Sequence, residues 1–337
     1  MHQPLRLRCH SAALVSNYDK LRVRAGSMVG AAVKADGYGL GATQVVKRLW
    51  DEGCRDFFVS TWWEAQELSF LPPESLCVLH GLGPDDEWLP GVRPVLNSTG
   101  QIARWRQAHP TSPCDVMVDT GMNRLGITPD ELSLLDGLLV HTLHSHLACA
   151  DEVHPLNAVQ LERFKSIRSA GHARRYSLAN SAGIYLGRDY AFDLVRPGLA
   201  LYGGTPVPEA RDEIREVVAL EAQIVQLRMV RSGESVGYNA TYVAERDHPV
   251  AIINIGYADG YWRAFAGHGQ AKFGDIPLPV IGRVSMDLVA LDASHAAARE
   301  GDWVTLDFSL EAAAAQTGFS QYELLTGLGR RLQRVWS

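Results

Sequence analysis

No stretch of the 337 residues approaches the ~18 consecutive apolar residues of a membrane span. The opening "MHQPLRLRCH" also lacks the apolar middle of a secretory signal, so the sequence reads as that of a cytoplasmic protein without a membrane partner. Cysteine is sparse and unpaired. Cys9, Cys54, Cys77, Cys114 and Cys149 are odd in number and never form a C-x-x-C spacing, which argues against a disulfide framework or a structural zinc and for reduced, packed thiols. Charge of one sign is lacking too: 32 Lys and Arg stand against 38 Asp and Glu, a net charge of −6. Nothing in that balance points to nucleic acid or an anionic surface. Internal repeats and low-complexity tracts are missing.

What is present is an ordinary globular composition, 46% apolar and 21% charged, over a length that suits two domains or a large barrel with an appendage. From about residue 27 to 202, short apolar runs alternate with amphipathic stretches. "SMVGAAV" leads to "ATQVVKRLWDEG", where Val45, Val46, Leu49 and Trp50 share a helical face and Gly53 can end the helix. "DFFVS" precedes "WWEAQEL", "VRPVLNS" precedes "TGQIARWRQA" with Thr99 as cap, and "LNAVQLERFKSIRSAG" is the clearest helix. "CDVMVDTG", "GLLVHTLHSHLA", "RYSLANSAG" and "FDLVRPGLALYGG" supply further strands. This alternation predicts an α/β fold, a (β/α)8 TIM-type barrel, with an open doubly wound sheet as the alternative. After "GGTPVPEARDEIREVVA" the texture changes to β-branched runs broken by turn residues, followed by a helical tail, "QYELLTGLGRRLQRVW". The expected organisation is a barrel over 11–214 and a mostly β domain over 215–337 that recruits the N-terminal strand 1–10.

Reactive groups of such a barrel gather at the C-terminal ends of its strands, and several polar residues fall there: Lys34; Asp119 with Arg124; His144 and His146; Asn180 and Ser181; Arg196. Each taken singly is equally a strand end reaching solvent. Lys34 is the sharpest, because a lysine at an apolar rim has its charged form disfavoured. Its neutral amine can then form a Schiff base with a carbonyl compound or pyridoxal phosphate. Gly37, Gly39 and Gly41 allow close backbone approach, and the amides of Gly198 and Leu199 at a helix start suit a phosphate, though the stretch reads equally as a Pro-Gly turn beside a surface arginine. His144 and His146 share a strand face, yet no third ligand follows at a recognisable spacing, so no metal is expected.

The ordered series "AAVKADGYGLG", "VDTGMNRLG", "HSHLACADE", "LANSAG", "DLVRPGLALYGG", "VGYNATY", "IGYADGYWR" and "GRVSMD" resembles the alanine racemases almost end to end. The resemblance implies a pyridoxal 5′-phosphate enzyme acting as a shared-site homodimer on a small amino acid. It implies that Lys34 anchors the cofactor and that Tyr38, Ser181, Gly198 and Leu199 hold its phosphate. Arg196, supported by His146, would meet the pyridine nitrogen, and Arg124 the phenolic oxygen and the substrate. Lys34 and Tyr238, the latter from the other subunit, would be the two bases. Met286 and Asp287 would line the substrate end, with Tyr257 and Arg263 at the entrance. Three departures stand out. Met117 replaces the family's usual lysine before the arginine of TGM-x-R, Arg330 stands where many members have a tyrosine, and Ser285 replaces a frequent cysteine. They leave serine or broader small-amino-acid specificity open as alternatives to alanine. A low-activity pyridoxal-phosphate-binding protein and a metal-dependent barrel hydrolase are the readings from other classes.

Overall fold

The computed structural model describes residues 2–337. The chain divides into two compact units, Leu14–Arg215, and Glu216–Ser337 together with the segment up to Ala13.

In the first unit seven parallel strands run in sequence order: Ala31–Ala32, Phe57–Val59, Leu76–Val78, Arg93–Leu96, Cys114–Met117, Val140–His144 and Arg175–Ser177. An eighth, Leu194–Val195, pairs in parallel with Met28–Val29, the earlier half of the first strand. Hydrogen bonds from Asp193 N to Tyr176 O and from Arg196 N to Ala179 O tie it to the preceding strand and close the barrel. The first strand is split at Gly30, where a Cβ would lie 2.7 Å from the Phe58 ring and 2.8 Å from Asp56 O. The strands are buried on both faces, as a parallel sheet covered by helices requires. Helices Ala42–Asp51, Trp62–Glu67, Thr99–Ala108 and Pro155–Ser169 lie between strands. The cap of the third is Ser98, whose side chain accepts from Gln101 N, and the expected cap Thr99 is the first helical residue.

Strand alternation turns a charged set into the lower barrel interior, where aliphatic layers are usual. Arg93 lies 3.2 Å from both Asp56 Oδ1 and Asp115 Oδ1. Arg175 donates twice to Asp56, at 2.9 and 2.6 Å. Asp115 also accepts from Thr142 N, from Cys77 Sγ at 3.2 Å and from His144 Nε2 at 3.1 Å. Above this floor sits an apolar layer of Phe58, Cys77, Val95, Met117 and Leu194. Burial would raise the Asp115 carboxyl, but Arg93 and the His144 bond outweigh it and hold it well below the usual range. Burial drives His144 down to about 4, against the pull of Asp115.

The second unit is built on the 13-residue strand Val218–Val230. It pairs antiparallel with Leu5–Cys9, Trp303–Leu306 and His248–Ile253. Its first seven residues alternate buried and half-buried, the signature of a sheet with one face on the core. The tail departs from the expected helix. Helix Gln321–Thr326 stops at Gly327, and Gln333–Trp336 pairs in parallel with Leu5–Cys9. An available sheet edge beside the N-terminal strand overrides the helical spacing of the tail.

Replacing Arg93 with Met leaves the buried Asp115 without a guanidinium partner, while Asp56 keeps Arg175, and is expected to cost about 3 kcal/mol in chemical denaturation. The depressed His144 contributes stability that is complete above its unfolded value of ~6.5 and is lost as pH falls toward 4, because only the unfolded chain takes up the proton. Denaturation midpoints at successive pH values should therefore fall on the acid side. In His144→Gln that slope becomes shallower by about 1.4 kcal/mol per pH unit.

Candidate active site

Beyond Ala31–Ala32 the chain enters a left-handed turn. Ala35, Asp36, Gly37 and Tyr38 have φ of 53°, 53°, 62° and 55°. Gly37 N donates to Val33 O and Gly39 N to Ala35 O, so the turn has helical bonding of the opposite hand. Three of these residues carry a Cβ, each costing roughly 1–2 kcal/mol in that region, so the turn must be held from outside. Glu64 Oε1 accepts from Ala35 N at 2.7 Å. Asp36 Oδ1 accepts from Ala42 N at 2.8 Å. The Tyr38 ring stacks on Tyr202 at 4.6 Å. The glycines of "GYGLG" thus serve the turn itself: Gly37, Gly39 and Gly41 all have positive φ.

This turn presents Lys34, half-buried at the strand end. Burial lowers its amine below the usual lysine value, Arg124 lowers it further, and Glu64 opposes them. Glu64 escaped the sequence reading although its signal was there. Thr61 and Glu64 form a capping box on helix Trp62–Glu67, the T-x-x-E spacing. That box leaves the second carboxylate oxygen for the Lys34 turn.

Arg196 follows strand Leu194–Val195 and is buried. It donates through Nη1 to Ser177 Oγ and through Nη2 to Ser145 O at 2.7 Å. Both acceptors are neutral, and burial pushes the guanidinium down to about 10 while Asp115 and Cys77 oppose. Desolvation, then Arg196, Arg124 and Lys34, hold the His146 imidazole down to about 3, so it is neutral. Arg124 is exposed and has no hydrogen bond or ion pair among the described residues. Lys34, Arg124, His146 and Arg196 are thus brought together electrostatically, around one point at the barrel mouth.

Ser181 Oγ accepts from Gly198 N at 3.0 Å and Ala200 N at 3.2 Å. The Leu199 amide, between them, has no acceptor among the described residues. Gly198 is required: a Cβ there would lie 2.2 Å from the Tyr38 hydroxyl. The cationic side chains Lys34, Arg124 and Arg196, an orphaned buried amide and an adjacent phenol form a donor set that fits an anionic, phosphorylated aromatic cofactor with a carbonyl for Lys34.

The remaining sequence-predicted residues lie in the second unit. Tyr238 is 69% exposed on a short turn, Tyr238–Ala240, that follows Gly237 with φ 78°. With Arg283 and Ser285 it lines a cavity of about 710 Å³. Arg263 stacks over the Tyr257 ring at 4.7 Å. Ser285 Oγ donates to Leu288 O and accepts from Leu288 N, closing the turn that carries Met286 and Asp287. Tyr257 N and Ala258 N donate to Ser285 O and Met286 O, zipping the two segments together. Arg331, absent from the sequence reading, grips both: it binds Asp259 through Nε and Nη2 at 2.7 and 2.8 Å and Asp287 through Nη1 at 2.7 Å. Its neighbour Arg330 is exposed. Arg331→Leu leaves the buried Asp259 unpaired. It is expected to cost about 2 kcal/mol in denaturation, less than a fully buried pair because Arg331 is half exposed.

Two family descriptions match the chain: "Alanine racemase, N-terminal domain" over residues 9–206 and "Alanine racemase, C-terminal domain" over 217–336. An alanine racemase of Acidiphilium cryptum is 42% identical over 342 residues, covering 96% of each chain. One from Methylobacterium nodulans is 42% identical over 351 residues, 98% of this chain and 95% of its own. The crystal structure of alanine racemase from Bartonella henselae, with covalently bound pyridoxal phosphate, superposes with a TM-score of 0.91 at 34% identity, covering both chains completely.

Proposed function

The chain belongs to the alanine racemase family, and we propose that it interconverts L- and D-alanine with two bases. Its cofactor is pyridoxal 5′-phosphate. When bound, that cofactor supplies the electron sink that makes the amino-acid Cα–H acidic. Lys34 serves one face of Cα, and Tyr238 of the partner subunit serves the other. The observation that carries this reading is the desolvated Lys34 amine on its strained turn, a group suited to be both covalent anchor and proton carrier.

The other residues hold and polarise. Ser181, Gly198, Leu199 and Tyr38 take the phosphate. Arg196 donates to the ring nitrogen; as a permanent cation it keeps a proton off that nitrogen, where a carboxylate would share one. This tempers the sink and disfavours side reactions. His146, held neutral, supports Arg196 without adding charge. Arg124 pairs with the phenolic oxygen and the substrate carboxylate. Met286 and Asp287 line the substrate end, and Tyr257 and Arg263 guard the entrance. The homodimer is supported by exposure: Tyr238, Met286 and Leu288 are 69%, 53% and 43% exposed in one chain, an apolar surface suited to cover by a second copy. No helix among the described residues is long and apolar enough to cross a membrane, and we place the enzyme in the cytoplasm.

The test is racemisation of alanine by the holoenzyme, with proton exchange followed in deuterated water. Lys34→Ala should lose the borohydride-sensitive yellow chromophore and turnover. Tyr238→Phe should lose about 10²–10⁴ in kcat while still exchanging Cα–H of one enantiomer without inversion. Full racemisation by Tyr238→Phe overturns the two-base assignment. Mixing the two inactive variants and letting subunits re-equilibrate should restore roughly a quarter of the activity, since half the dimers then hold one intact site. No restoration places both bases on one subunit.

A further inference from the structure

Gln160 lies mid-way along helix Pro155–Ser169, is completely buried, and makes no hydrogen bond to its own helix through its side chain. Its amide spans two loops at the barrel mouth. Oε1 accepts from Ala148 N at 2.9 Å, and Nε2 donates to His146 O at 2.9 Å and Thr120 Oγ1 at 3.1 Å. The partners dictate that orientation, since a backbone N–H can only donate and a carbonyl can only accept. With its oxygen already accepting from Gln160, the Thr120 hydroxyl can give its proton to Ser145 Oγ, 2.8 Å away. Ser145 in turn offers its carbonyl to Arg196 Nη2 at 2.7 Å. A continuous polar chain therefore runs from the outer helix to the buried arginine.

The same helix grips the loop again. Arg163 Nη1 donates to Thr120 O at 2.9 Å. A Cβ on Gly121 would meet Arg163 Nη1 at 3.1 Å and Leu156 at 3.4 Å, so the glycine of "TGMNR" is where helix and loop meet. Asn157 Nδ2 donates to Cys149 O and Glu152 O, fixing the rest of the loop after His146. The loop from Thr120 leads directly to Arg124, which has no fixed partner of its own.

We propose that Gln160, acting through Thr120 and Ser145, is a positioning residue that sets the mutual placement of His146, Arg196 and the Arg124 loop. This rests on the racemase reading for its activity measurement but not for its binding measurement. A buried glutamine needed only for packing satisfies backbone groups anywhere nearby. This one satisfies groups on the two loops that present the cationic site and joins the chain to Arg196.

The test uses Gln160→Leu, Gln160→Glu and Thr120→Val, with pyridoxal phosphate affinity, absorption spectrum and alanine kinetics measured on each. Gln160→Leu should bind the cofactor about tenfold more weakly and lose about 10- to 100-fold in kcat, the scale of a misplaced site, with KM for alanine little changed. Gln160→Glu keeps the acceptor for Ala148 N but loses the donors, and should fall between wild type and Gln160→Leu. Thr120→Val removes the Gln160–Thr120–Ser145 branch but keeps the Gln160 bonds to Ala148 N and His146 O, and should show the smaller loss. The double variant with Gln160→Leu should be no worse than Gln160→Leu alone. If Gln160→Leu does not fold, the other two variants decide by the same readouts. Folded variants with wild-type cofactor affinity, spectrum and kcat overturn the proposal, as does a fall in stability with those three unmoved. If the wild type fails to racemise alanine, the affinity and spectral comparisons still test the relay by themselves.

Discussion

Arg196 is a buried guanidinium whose hydrogen-bond partners, Ser177 Oγ and Ser145 O, are both uncharged. Desolvating a cation without an adjacent anion is among the larger penalties a fold can carry, and much of the barrel is arranged around it. Asp115 opposes the penalty from the floor, and it can do so only because it stays ionised between Arg93 and His144. Asp56 then balances Arg93 and Arg175. The floor is thus two carboxylates against two guanidiniums, and Arg196 remains as surplus charge. Lys34 and Arg124 add to that surplus at the mouth, and both help hold His146 neutral. A phosphorylated, phenolic cofactor relieves this imbalance, so the electrostatics that weaken the barrel mouth by themselves are the ones that favour the holoenzyme.

The left-handed turn after Lys34 follows a similar logic on the backbone. Ala35, Asp36 and Tyr38 are held where an L-residue is uncomfortable, and bonds from Glu64 and Asp36 with stacking on Tyr202 keep them there. Strain concentrated at one turn makes the lysine's direction a property of the scaffold instead of its own flexible stem. Glu64 contributes both to the backbone and to the Lys34 charge, so one carboxylate sets the geometry and limits how far the amine is lowered.

Much of the barrel and the residues at its strand ends were legible in the sequence. Short apolar runs ending in Lys34, His146 and Arg196 carry a strong period and a rule for which end reacts. The ionic floor was not legible. Asp56, Arg93, Asp115 and Arg175 each stand at the start of a strand-like run, where a charge ordinarily marks solvent. Only the ion pairs formed across neighbouring strands show that all four turn inward. The tail was misread for a related reason: spacing in "YELLTGLGRRLQRVW" suits a helix, and the sheet edge that claims its last residues belongs to a strand more than 300 residues away in sequence. Gln160 lay in plain sight within a helix, but a glutamine on a helical face says nothing of what it reaches across to.

Met117 belongs to the same electrostatic account. The family pattern places a lysine there, and this chain has a thioether packed with Phe58, Cys77, Val95 and Leu194. That layer separates the Arg93–Asp115 floor from the cationic mouth by apolar side chains. A charged group at 117 would face either a floor already balanced or a mouth already positive. Methionine avoids both, and it leaves Arg124 to be oriented through its loop instead of through a partner side chain. The Thr120–Gly121 contacts to Gln160, Arg163 and Leu156 anchor that loop to the outer helix layer. Loss of a direct partner at 117 therefore shifts the burden of placing Arg124 onto the helix Pro155–Ser169.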